Sequence, residues 1–415
     1  MKSVAVVGSG IAGMAAAWSL SRRYRVTLFE KDDRIGGHTH TIPVAAPEGT
    51  LPVDTGFIVF NEHTYPALTR LFRELGVETQ ESDMSFGVSC ARTGFEYSSR
   101  GLRGWLAAPM HHLRPAPYRM LKDLLRFNRT AAELLDQDAA RTITLAEYLD
   151  QERFGEEFRR YYLYPMAAAV WSTPAGKMQQ FPAATLIRFF QNHGFLGIDT
   201  HFRWRVVRGG SSRYIAPLTS PYRERIVTGA RLRRVRRLPQ AVQIEREGCP
   251  AESFDEVVFA CHGNQILPLL ADATEPEREI LGSFDTTPNR VTLHTDGRVL
   301  PRRAAARASW NYQLRGDDGA VTMTYHMNRL QGLRAAQEYC VTLNGDGGID
   351  AARVLRQLEY RHPLFTAASV RAQQRWAEIS GQRRTHFCGA YWFYGFHEDG
   401  LQSALRVAQA LGVEW

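Results

Sequence analysis

The 415-residue chain is 44% hydrophobic and 23% charged, a globular balance that excludes global disorder and can bury a sizeable core without disulfides or metals. Its 34 glycines follow no three-residue period, which excludes collagen, and no internal repeat is visible to suggest a solenoid or propeller. The formal net charge is +8, carried by arginine apart from Lys2, Lys31, Lys122 and Lys177, and it suits an anionic partner without choosing among nucleic acid, membrane surface and acidic substrate.

In chain order, residues 3–8 form an apolar run suited to a buried parallel strand. Gly8, Gly10 and Gly13 follow in GxGxxG spacing, then an apolar helical segment over 14–20, then a β-rich run from Arg25 that ends at Glu30. In such a unit the first glycine permits a tight turn, the second lets the backbone approach a pyrophosphate, and the third lets helix and strand pack closely. The helix N-terminus presents free N–H groups to phosphates, and Glu30 is placed to hydrogen-bond a ribose hydroxyl. The unit predicts dinucleotide binding. The stretch 4–20 also looks like a secretory leader, but it lacks a basic start and its glycines interrupt it. A cytoplasmic protein is expected, with reduced thiols at Cys90, Cys249, Cys261, Cys340 and Cys388. No cysteine or histidine spacing suits a metal, and no apolar stretch reaches the roughly 18 residues of a membrane-spanning helix.

Arg34-Ile-Gly-Gly37-His-Thr39 comes next, and residues 66–75 have helical apolar spacing that stops at Gly76. Residues 118–136 predict an amphipathic helix with Met120, Leu121, Leu124, Leu125 and Phe127 among Arg119, Lys122, Arg126 and Arg129. Trp105, Leu106 and Met110 precede it, and two readings stand: a basic membrane-surface element, or a helix packed on its own domain. A further helix is predicted over 141–164, with Thr144 as N-cap and Glu147 three residues on. Strands are predicted at 225–237 and 255–262, and 290–295 and 321–326 alternate like strands of an antiparallel sheet. The chain closes on CGAYWFYGFHEDGL (388–401) and a helix with apolar Leu401, Ala404, Leu405, Ala408 and Leu411. No GxSxG, HExxH or P-loop is present, and no nucleic-acid motif accompanies the basic charge, so a nucleic-acid partner is not expected.

The order GxGxxG, acid, RxGG resembles the FAD-dependent amine oxidase and phytoene desaturase superfamily. That resemblance implies an α/β fold: a Rossmann-like FAD-binding domain of the GR2 type from residues 1–60, 205–265 and 380–415, and a discontinuous α+β substrate-binding domain from 61–204 and 266–379. It implies non-covalent FAD, because the family's linking cysteine falls before the C-terminal strand whereas Cys388 falls within it. Carried over by position, FAD would meet Gly8, Gly10, Ile11, Ala12 and Gly13 at the turn and Glu30 and Lys31 at the ribose. Arg34, Gly36, Gly37, His38 and Thr39 would run along its pyrophosphate and ring, with Thr55 and Gly56 in the loop after Asp54. Residues 225–237 would be the strand pair that contacts adenine, at Leu232, and 255–262 the strand that returns to the parallel sheet, ending near Ala260. Gly389, Tyr391, Glu398, Asp399, Gly400 and Leu401 would close the site, with Trp392 near the ring.

Seven stretches carry a closer resemblance: GGHTHT (36–41), PVDTGFIVFNEHTYP (52–66), DMSFGVS (83–89), YPMAAAVWSTP (164–174), ASWNY (308–312), MNRLQ (327–331) and CGAYWFYGFHEDGL (388–401). They are similar to a bacterial subgroup some of whose members resemble enzymes that desaturate methyl-branched acyl chains on the way to furan fatty acids. The resemblance implies an oxidoreductase that takes hydride from a lipid or fatty acyl chain, with peripheral contact to an anionic membrane. An amine or amino-acid oxidase and a non-redox fatty acid isomerase are the alternatives. Amine oxidases of the superfamily hold a lysine near the flavin on a strand of the substrate domain. Here no lysine follows Lys177, and Arg290 is the nearest basic residue on the comparable strand. By position, the candidates for a catalytic base are His38, His40 and His294, and the oligomeric state is left open.

Overall fold

Ser3–Val7 is buried at every residue, as an apolar strand must be when sheet neighbours and helices cover both its edges and faces. It pairs in parallel with Arg25–Phe29 on one side and Glu256–Phe259 on the other. Ile226–Val227 and Thr385–Phe387 complete a five-stranded sheet, so three distant stretches of chain build it. The register aligns Val7 with Phe29 and Phe259, and Gly8, Glu30 and Ala260 therefore emerge side by side at the carboxyl ends of the strands. Helix Ile11–Leu20 is apolar all round and buried at all ten residues, sandwiched between this sheet and the closing helix His397–Ala410. A computed structural model describes residues 1–136, 143–171, 178–197, 202–315, 320–345 and 348–415. Ser172–Pro174 of one motif, Lys177, and the first two residues of the predicted helix 141–164 lie outside the described residues.

A second, seven-stranded sheet runs in the order 354–364, 285–294, 340–343, 320–326, 310–315, 86–90, 96–98. It is antiparallel except where 310–315 lies parallel to 86–90. One apolar core fills the space around the parallel sheet, and another lies between the seven-stranded sheet and the helices inserted around it. The five cysteines form no disulfides. Among the described residues no helix is long and apolar enough to cross a membrane.

The run 225–237 holds a pair of strands: Ile226–Val227 extends the parallel sheet, while Leu232–Arg237 joins Val242–Arg246 and Glu252–Phe254 in a separate antiparallel sheet. The predicted helix 141–164 begins at Leu145, with the Glu147 N–H donating to Thr144 Oγ1 and the Thr144 N–H donating to Glu147 Oε2 (2.8 Å). It stops at Gln151, Arg153 takes a left-handed φ of 53°, and helical structure resumes through Glu156–Phe158 and a π-helical turn into Tyr164–Trp171. Apolar spacing resumes after the break, so periodicity alone runs the pieces together. The strands around 290 and 321 lie in the same sheet, each antiparallel to Cys340–Leu343 between them.

Candidate active site

The carboxyl ends of the parallel strands open into a cavity of about 680 Å³ that is also lined from the seven-stranded sheet and the inserted helices. Its dinucleotide end is shaped by backbone. Gly8 sits at φ +105°, where its amide donates to Phe29 O (2.8 Å) and a Cβ would press on the Ala260–Cys261 peptide. A Cβ at Gly13 would overlap the Gly8 carbonyl, whereas one at Gly10 would meet no protein atom and would occupy open space beside the helix N-terminus. The Glu30 carboxylate is buried and oriented: one oxygen accepts from Ser9 N (2.9 Å) and Ser9 Oγ (2.6 Å), the other from Asp32 N (3.0 Å). Ala230 N donates to Glu30 O (2.7 Å), which brings Ala230–Leu232 to its side. Arg34 donates to Gly37 O (2.8 Å) and faces the cavity with Lys31 and Arg231. An unobstructed helix N-terminus and cationic side chains that can donate to a pyrophosphate, with a fixed acid that can accept from ribose hydroxyls, suit FAD.

The opposite end is walled by imidazoles. His397 stacks on Phe57 with centroids 3.7 Å apart, and its Nε2 is hydrogen-bonded with Thr39 Oγ1 (3.0 Å) and the Tyr214 hydroxyl (3.2 Å). His38 lies 5.0 Å from His362, 5.3 Å from Tyr360 and 5.9 Å from His262, centroid to centroid. Asn289 Nδ2 donates to His362 Nδ1 (2.9 Å), and the Tyr360 hydroxyl is hydrogen-bonded with Thr55 Oγ1 (2.7 Å). His38 Nε2 is buried without a hydrogen-bond partner, an open valence that a bound group can fill. Burial, reinforced by Arg34 and by neighbouring imidazoles respectively, lowers His38 to about 4 and His262 to about 3. Burial likewise holds His362 and His397 well below the usual histidine range. At neutral pH this wall offers polar nitrogens and no charge.

Between the imidazoles and the inserted helices the cavity is apolar, walled by residues such as Met84, Trp171, Phe189, Trp204, Trp310 and Phe365. The lining carboxylates are elsewhere. Glu30 and Asp32 follow the second parallel strand, and Glu359 is exposed beside Arg361 (3.7 Å).

Gly8, Gly10, Ile11, Ala12, Glu30, Lys31, Arg34, Gly37, His38, Gly56, Leu232, Ala260, Gly389 and Tyr391 all line the cavity. The other residues assigned to the cofactor stand behind that surface. Gly13 and Gly400 permit close packing, Gly400 against Ile11, and Gly36 donates its amide to Ser9 O (3.0 Å). Thr39 and Thr55 hold His397 and Tyr360, and Leu401 is core. Glu398 is corrected to a structural role: its two oxygens accept from Ala67 N (3.0 Å) and Leu68 N (2.9 Å). Asp399 accepts from Phe396 N (2.8 Å) and caps its own helix. Trp392 packs on Phe284 at 4.8 Å, and Cys388 is buried behind the wall.

Three candidates for chemistry are corrected too. Arg290 is exposed, because strand alternation turns the adjacent Asn289 inward. His294 is buried within the second sheet, bonded with Thr342 Oγ1 (2.7 Å) and accepting from Asp296 N (3.1 Å). His40 stands outside the cavity lining, where its Nδ1 is bonded with the Tyr360 hydroxyl (2.8 Å) and orients it. Sequence reasoning missed His262, His362, His397 and Tyr360. His262 and His397 lie inside the stretches 255–262 and 388–401, whereas His362 and Tyr360 lie on a strand with no motif of its own.

The family described as flavin containing amine oxidoreductase matches residues 11–347. The chain is 31% identical over 208 residues to the carotenoid phi-ring synthase of Streptomyces griseus, covering 47% of this chain and 39% of that one. It is 38% identical over 80 residues to the 1-hydroxycarotenoid 3,4-desaturase of Flavobacterium sp. (strain P99-3), covering 19% and 16%. The chain thus spans less than half the length of these curated relatives. Among solved structures, a putrescine oxidase variant matches with a TM-score of 0.73 at 14% identity over 99% of each chain. A CLA-producing fatty acid isomerase from P. acnes matches with a TM-score of 0.68 at 15% identity over 97% of each chain, and both likenesses show the shared fold. The chain belongs to the flavin containing amine oxidoreductases, a family of FAD-dependent oxidoreductases.

Proposed function

We propose that this enzyme desaturates a fatty acyl chain, such as the methylated, unsaturated acyl group of a phospholipid. The observation that carries the reading is the apolar part of the cavity, where aromatic and aliphatic walls meet no carboxylate among the described residues. An ammonium group entering that space would lose its hydration with no anion to replace it, at a cost of several kcal/mol. An acyl chain gains there, by about 25 cal/mol for each Å² of apolar surface removed from water. The single lysine among the lining residues is Lys31, at the dinucleotide end, and the strand carrying Arg290 turns Asn289 inward. Both features weigh against amine oxidation.

Bound FAD supplies a two-electron acceptor for the hydride leaving one carbon, with dioxygen or another oxidant taking the electrons onward. The chain's own part is to hold the acyl segment against the imidazole wall and to receive the proton from the adjacent carbon. His38 is the residue fitted to receive it, being a neutral imidazole whose Nε2 is buried, unpartnered and on the cavity wall. The test is the visible flavin spectrum under anaerobic conditions, before and after adding phospholipid with methylated unsaturated acyl chains, with a panel of amines alongside. Bleaching by lipid alone is the expected result. Bleaching by amines alone would overturn the reading in favour of an amine oxidase, and a shifted double bond without bleaching would make the enzyme an isomerase.

A further inference from the structure

Apolar exposure is concentrated in one short stretch of the chain. Among the described residues nine large apolar side chains are exposed, and six of them fall between 102 and 125: Leu102, Leu106, Met110, Leu113, Tyr118 and Leu125. Leu102 and Met110 are each 72% exposed and Leu113 is 79% exposed. They lie on three consecutive elements, the short helix Gly101–Trp105 with its C-cap Leu106, the turn Pro109–Leu113 and the helix Ala116–Thr130. A ladder of rings joins these elements into one surface, Trp105 to His112 at 5.2 Å and His112 to Tyr118 at 6.0 Å. On the longer helix Tyr118, Lys122, Leu125 and Arg129 fall at helical spacing along one outward stripe, while Met120 and Phe127 face the core. The same surface is basic: Arg100, Arg103, Arg114, Arg119, Lys122 and Arg129 are exposed. The one acid between 99 and 130 is Asp123, already held by Arg126 (3.1 Å) and Gly155 N (2.7 Å); from neighbouring elements Glu157 pairs with Arg119 (3.0 Å) and Asp83 lies 4.0 Å from Arg100, which leaves Arg103, Arg114, Lys122 and Arg129 in excess.

We propose that this face, residues 100–129, docks the enzyme on the surface of an anionic phospholipid bilayer. An isolated apolar patch would suit a second protein as well, but here apolar tips are interleaved with cations that outnumber the acids beside them. Such a surface buries its apolar tips at the headgroup boundary while the arginines and lysine meet lipid phosphates. Each cation close to an anionic leaflet strengthens partitioning by about fivefold at moderate salt, an effect lost as the Debye length shrinks. The docking helix packs on Glu156–Phe158, which continues through the π-helical turn into Tyr164–Trp171, and Val170 and Trp171 line the apolar cavity. The docking helix thus packs against one end of a run of helix whose other end lines the apolar cavity.

The test uses the flavin-loaded protein and vesicle co-sedimentation, which reads docking whatever substrate the cavity takes. Vesicles of phosphatidylcholine with about 30 mol% phosphatidylglycerol are compared with phosphatidylcholine alone. Binding at least tenfold tighter to the anionic vesicles is expected, falling steeply between about 0.05 and 0.5 M salt. The variant Leu102→Asp/Met110→Asp/Leu113→Asp should lose at least tenfold with its flavin content unchanged. Arg103→Glu/Lys122→Glu/Arg129→Glu should do the same, and it serves if the first variant fails to fold. No binding, equal binding to both vesicles, or wild-type binding by the folded variants would overturn the proposal. So would a solution dimer that these substitutions split, which would assign the face to a second copy of the chain.

Discussion

Gly10 and Gly13 belong to one motif, yet they face different neighbours. The side of Gly10 where a Cβ would stand is open space at the cavity wall, and that of Gly13 is the Gly8 carbonyl. Gly10→Val should therefore fold with a loss of about 1 kcal/mol, the usual cost of a poor N-cap, while flavin content falls at least tenfold. Gly13→Ala should lose about 1–3 kcal/mol in the flavin-free protein as well, because the clash is with backbone that the cofactor does not touch. Urea unfolding of the flavin-free variants and flavin absorbance per chain separate the two. A Gly13 variant with wild-type stability would mean that helix and turn are not packed as described.

The helix Pro66–Glu74 shows why a residue of the C-terminal motif does not touch the cavity. This helix has no acid in its first turn and no side-chain cap of its own, and Pro66 brings no N–H. Its next two donors, Ala67 N and Leu68 N, are satisfied by Glu398 from the other end of the chain. Glu398→Gln removes the charge at the positive end of the helix dipole and turns one acceptor into a donor. A loss of about 1–2 kcal/mol is expected, with flavin content unchanged, as read by thermal unfolding beside an absorbance spectrum. A variant of full stability that no longer holds flavin would return Glu398 to the cofactor. Apolar spacing located this helix and the one at 116–130, but it could not register the left-handed Arg153 or the passage from one sheet to another after Val227, since neither changes the apolar pattern.

Burying a wall of neutral imidazoles makes acid a threat to the fold. An unfolded histidine takes a proton near pH 6.5, whereas His262 in the folded protein resists until about pH 3 and His38 until about pH 4. Below pH 6.5 the unfolded chain thus binds protons that the folded one refuses, and stability falls as pH falls. Asp54 and Asp399 act the other way. Burial raises them to about 6 and about 7, so they add stability as pH drops from that range toward the ordinary carboxylate value of about 4. Comparing wild type with His262→Asn isolates the imidazole contribution. Between about pH 6 and 4 the variant should lose stability less steeply, by up to about 1.4 kcal/mol per pH unit. Urea unfolding of the flavin-free proteins at several pH values measures the slope, and equal slopes would mean that His262 is not held neutral.

The cofactor cradle was readable in the residues because its links are short: strand, glycine turn, helix and acid follow within some thirty positions, and each step is set by local sterics and hydrogen bonding. FAD and the α/β fold followed from that order together with the family likeness of RxGG and the closing helix. The reacting face was not readable, because it is made of contacts between residues far apart in the chain. His38 meets His262 and His362 only after the strand at 256–259 has joined the parallel sheet and the strand at 354–364 has paired along 285–294. A strand's register decides which of two neighbours faces inward, and a slip of one residue would exchange Asn289 for Arg290 at the interior. Local propensity carries no information about that register; long-range pairing and the burial of both cores set it, and with it the chemistry the cavity can offer.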